Sequence, residues 1–268
     1  MIEKPWGEAF TLEDIEAGIK KHKPAIFAMV HAETSTGICQ PMEGVGDLCR
    51  EHDCLLLLDT VTSLGGVPLY LDTWKVDLAY SCSQKGLSCP PGLGPFTMGP
   101  RAEAKLAARK DKVPNWYLDV SLLNQYWGSN RVYHHTAPVN MNFGMREALR
   151  LLAEEGLDNA WARHRRNAEA LWTGLESLGL EMHVPEELRL PTLTTVRIPE
   201  GVDGKAFSSH LLNTHGIEVG GGLGVLSGKI WRIGLMGYNS TPENVDRLLN
   251  IFETCLLYTS PSPRDSDS

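Results

Sequence analysis

Cys54-Leu-Leu-Leu-Leu-Asp59 decides the fold. The run is too short for a typical helix and shows no polar alternation, so it reads as a strand buried on both faces. Strands of that kind belong to parallel sheets covered by helices. The run closes on a carboxylate, which places a charged group at the strand's C-terminal end. Ala25-Ile-Phe-Ala-Met-Val30 reads the same way, and the polar stretch His31-Ala-Glu-Thr-Ser-Thr-Gly37 follows it as a loop. A third strand is predicted over 76–82, in Asp77-Leu-Ala-Tyr-Ser-Cys-Ser-Gln-Lys85-Gly86. It leads to Lys85, which lies 26 residues beyond Asp59. Open α/β sheets bind ligands at the C-terminal ends of their strands, so Thr34, Asp59 and Lys85 are expected around one crevice.

Helices and further strands can be read outward from this centre. Residues 11–21 carry a capping box, Thr11 with Asp14, and place Leu12, Ile15 and Ile19 on one face. A helix around 43–52 links the first two strands, and a short strand is expected at 96–98 after Pro90-Pro-Gly-Leu-Gly-Pro95. Two helices, about 138–155 and 157–178, meet at Gly156. A smaller α+β unit follows: strand 193–198, helix 204–214, a short strand near 217–219, strand 229–233 and a last helix from about 241. Strand, loop, helix and strand in this order predict an α/β fold. Its mostly parallel sheet is covered by helices, and a smaller C-terminal α+β domain comes after it. The domain limits are expected at 1–155 and 156–254. At most four strands fall in the first unit, fewer than such sheets usually have, and no glycine-rich phosphate turn opens a helix, so the large domain reads as incomplete.

The chain has 268 residues, 42% of them hydrophobic, enough to bury a core. Its net charge is −8 with no basic stripe, which argues against nucleic acid and anionic membranes as partners. No apolar stretch approaches the roughly 20 residues of a membrane helix. The six cysteines lack metal-ligand spacing and read as reduced, mostly buried thiols. His134 and His135 are expected to pack or hydrogen-bond, and no metal is predicted. Cys255-Leu-Leu-Tyr-Thr-Ser-Pro-Ser-Pro-Arg-Asp265 resembles a translated frame of a sequencing adapter. Residues 255–268 are therefore expected to be a non-native tail that interrupts the last helix.

A lysine in a crevice must be paired or have a lowered pKa, because burying an ammonium is costly. An imine-forming amine needs that lowered pKa. Pyridoxal phosphate asks for such a lysine, and for an acid beside its pyridinium nitrogen, so Lys85 and Asp59 suit it together. Asp59 also suits a turn cap, and the two roles are compatible. Thr34 and Thr36 place hydroxyls on the neighbouring loop. Arg232, inside the apolar strand Lys229-Ile-Trp-Arg-Ile-Gly234, must find an acid: either an internal one or the α-carboxylate of an amino-acid substrate.

Six segments in order carry a resemblance to a known family. They are His31-Ala-Glu-Thr-Ser-Thr-Gly37, Leu58-Asp-Thr-Val-Thr-Ser-Leu-Gly-Gly66, Ser83-Gln-Lys85, Tyr133-His-His-Thr136, Gly221-Gly-Leu-Gly224 and Trp231-Arg-Ile-Gly-Leu-Met-Gly237. Together they resemble the class V aminotransferases of the fold-type-I pyridoxal phosphate enzymes, in particular the alanine–glyoxylate branch. The resemblance implies that Lys85 forms the Schiff base, Asp59 pairs with the pyridinium and Thr34 approaches the ring. It implies that Gln84 reaches the phosphate and that Arg232 takes the substrate carboxylate. Tyr133 and Thr136 would reach the partner's cofactor phosphate across a homodimer. The implied reaction moves the amino group of alanine or serine to glyoxylate, so the partners are small amino acids and 2-oxo acids.

A 3-hydroxykynurenine transaminase-like activity uses the same scaffold and stays open. So does an inactive fragment, since the family's phosphate-binding segment matches nothing in this chain and Met1 aligns inside relatives. A cysteine desulfurase fits less well, having a histidine where this chain has Gln84. A peroxisomal location, or alternatively a mitochondrial one, rests on the resemblance alone.

Overall fold

A computed structural model of the chain describes residues 1–259, with side chains to residue 256. The N-terminal strand-and-helix unit begins with α1 (Leu12–His22). Its capping box forms as expected, with the Asp14 N–H donating to Thr11 Oγ1 and the Thr11 N–H to Asp14 Oδ2. Strand β1 (Ile26–Val30) leads into a hairpin, β2 (Ala32–Glu33) with β3 (Ile38–Cys39), where the sequence suggested a plain loop. Helix α2 (Val45–Glu51) crosses to β4 (Leu55–Asp59), and β5 (Leu78–Tyr80) and β6 (Phe96–Met98) complete the sheet. The order is β1-β4-β5-β6, with the first three strands parallel and β6 antiparallel to β5.

Strand β5 is shorter than predicted because its flanks bond elsewhere. Before it, the Asp77 carboxylate is buried and accepts the Leu56 N–H at 2.9 Å and Arg101 Nη1 at 2.9 Å. After it, the Ser81 N–H donates to the Pro95 carbonyl. Lys85 therefore sits in a turn five residues past the strand. One face of the sheet packs Leu56 and Leu58 on Ile15, Ile19, Val45, Cys49 and Trp74. The other face presents Ile26, Val30, Tyr80 and Phe96, all more than one-third exposed.

Residues 99–127 supply two helices with no counterpart in the sequence reading, α3 (Pro100–Ala107) and α4 (Val120–Trp127). Proline at the first turn of α3 and the Asp119 cap on α4 are the signals that mark them. Helices α5 (Val139–Glu155) and α6 (Leu157–Ser177) meet at Gly156, whose φ of 84° suits glycine. Helix α6 buries Ala160, His164, Ala168, Leu171 and Leu175 at helical spacing.

A second sheet follows, built from β7 (Leu193–Arg197), β8 (Gly220–Gly221) and β9 (Ile230–Gly234), with α7 (Gly204–His215) between β7 and β8. Its order is β7-β9-β8, fully antiparallel. The expected strand near 217–219 lies slightly later, at β8. Phe207, Trp231 and Phe252 pack ring to ring in its core. The last helix, α8 (Pro242–Thr259), is not interrupted at residue 255. Cys255 falls on the same face as Val245, Leu248 and Phe252 and is buried with them, so the apolar period carries the helix onward. The rest of the expected tail, 260–268, lies outside the described residues. No helix among the described residues is long and apolar enough to cross a membrane.

Asp77→Ala is expected to destabilise the chain by about 3 kcal/mol, since it strands a buried backbone N–H and takes from Arg101 its nearer acid partner. Urea unfolding measures it, and Asp77→Asn, which keeps an acceptor for Leu56, should cost less.

Candidate active site

Three loops gather at the C-terminal ends of β1, β4 and β5, the place the sequence assigns to a crevice, and the second sheet's unit is bonded to them through Thr192, Thr195, Arg232 and Tyr238. The β2–β3 hairpin turns at Gly37, whose φ is 82° and where a Cβ would come within 2.6 Å of Thr195 Oγ1. Only glycine lets this tip approach β7, and Thr195 Oγ1 then donates to the Thr36 carbonyl at 2.8 Å. Thr36 is buried and its own hydroxyl has no partner, whereas Thr34 is half-buried beside it.

Asp59 ends β4 with both carboxylate oxygens engaged. Oδ1 accepts the Val61 N–H at 2.8 Å, the turn-cap role expected of it, and Oδ2 accepts the Tyr80 hydroxyl at 2.6 Å. That bond pushes the Tyr80 phenol up to about 12, because ionising it would set two negative charges together. The next loop is laced to this one by Ser81 Oγ, which donates to the Thr60 carbonyl, while Ser83 Oγ donates to Pro90. Gly86 packs so closely on the Leu64 carbonyl that a Cβ would collide with it.

Lys85 is half-buried, and its amine makes no hydrogen bond or ion pair among the described residues. Its turn is held from the second sheet's side: the Ser88 N–H donates to the Lys85 carbonyl, and Ser88 Oγ accepts the Tyr238 N–H. Arg232, at the centre of β9, reaches the loop after β1. Nε donates to the Gly221 carbonyl at 2.7 Å and Nη1 to the Thr34 carbonyl at 3.4 Å. No carboxylate lies within salt-bridge distance of it among the described residues, so the internal ion pair left open by the sequence does not form.

Gln84 is exposed and makes no hydrogen bond among the described residues. Tyr133 and Thr136 are exposed too, and their hydroxyls bond each other at 3.0 Å without touching Lys85 or Asp59. His134 stacks on Trp116 and bonds its carbonyl. The fold does bring His210, His215 and Cys255 together, with donor atoms within 4.8 Å of one another, where the sequence showed no ligand spacing.

His31, first residue after β1, was passed over as a candidate. It is 3% exposed, lies edge-on to Trp74 and sets Nε2 3.7 Å from Cys39 Sγ. Burial pushes its pKa down to about 4. Tyr80 was also missed, although its register opposite Asp59 is what aims it at the carboxylate.

A family model described as aminotransferase class-V matches residues 3–248. The chain belongs to the class-V aminotransferase family. It is 45% identical over 260 residues to the alanine–glyoxylate aminotransferase of Mus musculus, covering 96% of this chain and 63% of that protein. It is 40% identical over 275 residues to the (S)-ureidoglycine–glyoxylate transaminase of Bacillus subtilis, covering 96% of this chain and 66% of the relative. The crystal structure of an alanine–glyoxylate aminotransferase from Nostoc sp. superposes with a TM-score of 0.93 at 64% identity, over 94% of this chain and 67% of that one. The fold is thus the fold-type-I aminotransferase arrangement, and the chain spans less than two thirds of the mouse relative's length.

The residues present fit the pyridoxal phosphate on which this family depends. The chain offers an amine without a partner among the described residues, a carboxylate held by two donors with lone pairs to spare, and a guanidinium without an acid. This class-V aminotransferase chain should also lose stability in acid through His31. Its folded-state pKa is depressed, so the unfolded chain takes up a proton first. The contribution is complete above pH about 6.5 and is lost as pH falls towards 4, reaching about 3 kcal/mol. Urea midpoints at pH 7 and 4.5 measure this, and His31→Phe should flatten the difference.

Proposed function

We propose that this chain carries the catalytic crevice of an aminotransferase that moves the amino group of a small amino acid, alanine or serine, to glyoxylate. The observation behind the reading is that Lys85 and Arg232 have no acid partner among the described residues, while Asp59 ends the strand next to the one that leads to Lys85. Pyridoxal phosphate, when bound, supplies an electron sink for the carbon that loses its proton. Lys85 would be the amine that holds the cofactor aldehyde, and Asp59 would keep the ring nitrogen protonated. Arg232 binds the substrate carboxylate through the N–H groups that Gly221 and Thr34 leave free. The Lys85 amine would accept the α-proton of the amino donor in the first half-reaction and, in the second, would deliver a proton to the acceptor's α-carbon. Glyoxylate as acceptor is supported by the names of both the mouse and the Bacillus relatives.

A homodimer accompanies this reading. Trp116, Trp127, Tyr133, Phe143 and Leu151 are all more than half exposed, an apolar surface suited to a second copy. Tyr133 and Thr136 lie in that region and would donate to the partner's cofactor phosphate.

The direct test is borohydride reduction of the chain with pyridoxal phosphate, followed by peptide mapping. The pyridoxyl group is expected on Lys85 and absent from Lys85→Ala; finding it on Lys75 or Lys105 would overturn the assignment. Arg232→Lys should raise the apparent KM for amino donor and glyoxylate about 10- to 150-fold, with cofactor binding little changed, because an ammonium cannot grip a carboxylate with two parallel bonds. Unchanged KM values would make Arg232 a structural residue.

A further inference from the structure

Asp59 and Tyr80 are register partners at the C-terminal ends of the parallel strands β4 and β5, so their side chains rise from the same face of the sheet. The Tyr80 hydroxyl donates to Asp59 Oδ2 at 2.6 Å, in the range of a charge-assisted O–H···O⁻ bond. The backbone reinforces the pairing. The Tyr80 carbonyl accepts the Thr60 N–H at 2.9 Å and Thr60 Oγ1 at 2.8 Å, so the residue after Asp59 is tied twice to Tyr80. The Val61 N–H holds the other carboxylate oxygen. Val30 lies beside Asp59 in the register and Phe96 beside Tyr80, so the pair stands in an apolar row with no competing polar side chain there.

We propose that Tyr80 is a positioning residue: its hydroxyl clamps the Asp59 carboxylate in the one orientation that directs the remaining lone pairs at a cationic ring nitrogen. This inference rests on the proposed cofactor reading and deepens it. A carboxylate rotates easily about its last torsion, which has broad wells. With only the Val61 N–H holding one oxygen, the other would be free to swing in the crevice. A donor on each oxygen removes that freedom before the ligand arrives, and a carboxylate has lone pairs enough to accept a third bond. Preorganisation of this kind strengthens binding by removing an ordering cost. Phenylalanine at this position keeps the ring, its register and its neighbours, and removes only the donor. The ring is 38% exposed, so no buried group is left unpaired except Oδ2, which water can reach.

The experiment is a double-mutant cycle on cofactor affinity. Pyridoxal phosphate is titrated into the wild-type chain, Tyr80→Phe, Asp59→Asn and the double variant, with the melting temperature of each cofactor-free chain as a control for folding. Tyr80→Phe is expected to leave that melting temperature unchanged and to weaken pyridoxal phosphate binding about tenfold in the wild-type background. In the Asp59→Asn background it should change affinity less than twofold, because the group it acts through is gone. The pH midpoint of the bound cofactor's visible absorbance should also move in Tyr80→Phe, which a purely structural ring would not cause. Equal effects in both backgrounds, or an affinity that rises or holds in Tyr80→Phe, would overturn the proposal while leaving the Lys85 assignment intact. A wild-type chain that takes no pyridoxyl group on Lys85 at millimolar pyridoxal phosphate would overturn both, and borohydride mapping separates the two cases.

Discussion

Two threonine hydroxyls hold the crevice together. Thr195 Oγ1 reaches the Thr36 carbonyl and Thr192 Oγ1 reaches the Thr62 carbonyl, joining residues 159 and 130 positions apart in the chain. Both are buried, and both lie between the two main cores rather than inside either one. Each bond contributes only about 1 kcal/mol net, yet leaving its carbonyl buried and unmet would cost more. Their larger effect is geometric. They pin β7 against the hairpin tip and the loop after β4. Strand β9 pairs with β7 across its whole length, so pinning β7 also fixes where Arg232 emerges. The Arg232 guanidinium then meets the Thr34 carbonyl, and the segment after β9 lies against the Lys85 turn through Tyr238 and Ser88. Register in one small sheet thereby sets the distance between a cation that can hold a carboxylate and an amine that can hold an aldehyde.

The first sheet is built on a different balance. Its strands are short and its parallel ladder is poor in residues, so its stability rests on one well-packed face. Leu56 and Leu58 are fully buried there against Ile15, Ile19 and Cys49. Ile26, Val30, Tyr80 and Phe96 cover the opposite face and stay partly in water. Parallel sheets are ordinarily covered on both sides, and β1 also carries an unpaired edge. Further polypeptide on this face would bury the apolar row beside Asp59, lower the local dielectric and strengthen every charge interaction in the crevice. About a third of the mouse relative's length has no match in this chain, as the 63% coverage shows.

Much of this was legible because the informative residues sit where backbone periodicity changes. Leu55–Leu58 can be read as a buried strand from composition alone, and the carboxylate that ends it marks the crevice. The Thr11 capping box and Gly156 were readable because capping is local chemistry that a window of four residues contains. The β2–β3 hairpin was not, since its two-residue strands exist only because Gly37 docks on Thr195, far away in sequence. Helices α3 and α4 escaped because each is only 8 residues long, about two turns, which is too short for an apolar period to stand out. Tyr80 escaped for a related reason: an aromatic in a strand reads as packing, and only the register with Asp59 turns it into a hydrogen-bond donor. The apparent break at Cys255 misled in the opposite direction, since the missing C-cap hid an apolar face that carries the helix onward.

Arg232 shows most clearly what the crevice lacks and therefore what it can bind. Other half-buried arginines in this chain find protein acids: Arg101 pairs with Asp77, Arg163 with Glu155 and Arg189 with Glu176. Each of those pairs is complete, and none has reason to recruit a ligand. Arg232 instead donates to two neutral carbonyls, which orient the guanidinium but do not balance its charge. A partly desolvated cation held by dipoles alone retains most of its attraction for an anion. The planar fork also prefers two oxygens at a fixed spacing, which a carboxylate provides and a lone hydroxyl or carbonyl does not. Had a glutamate occupied the hairpin tip in place of Thr34, the site would have been neutralised from within. A threonine there offers its carbonyl to Nη1 and leaves the charge for a substrate that brings its own carboxylate.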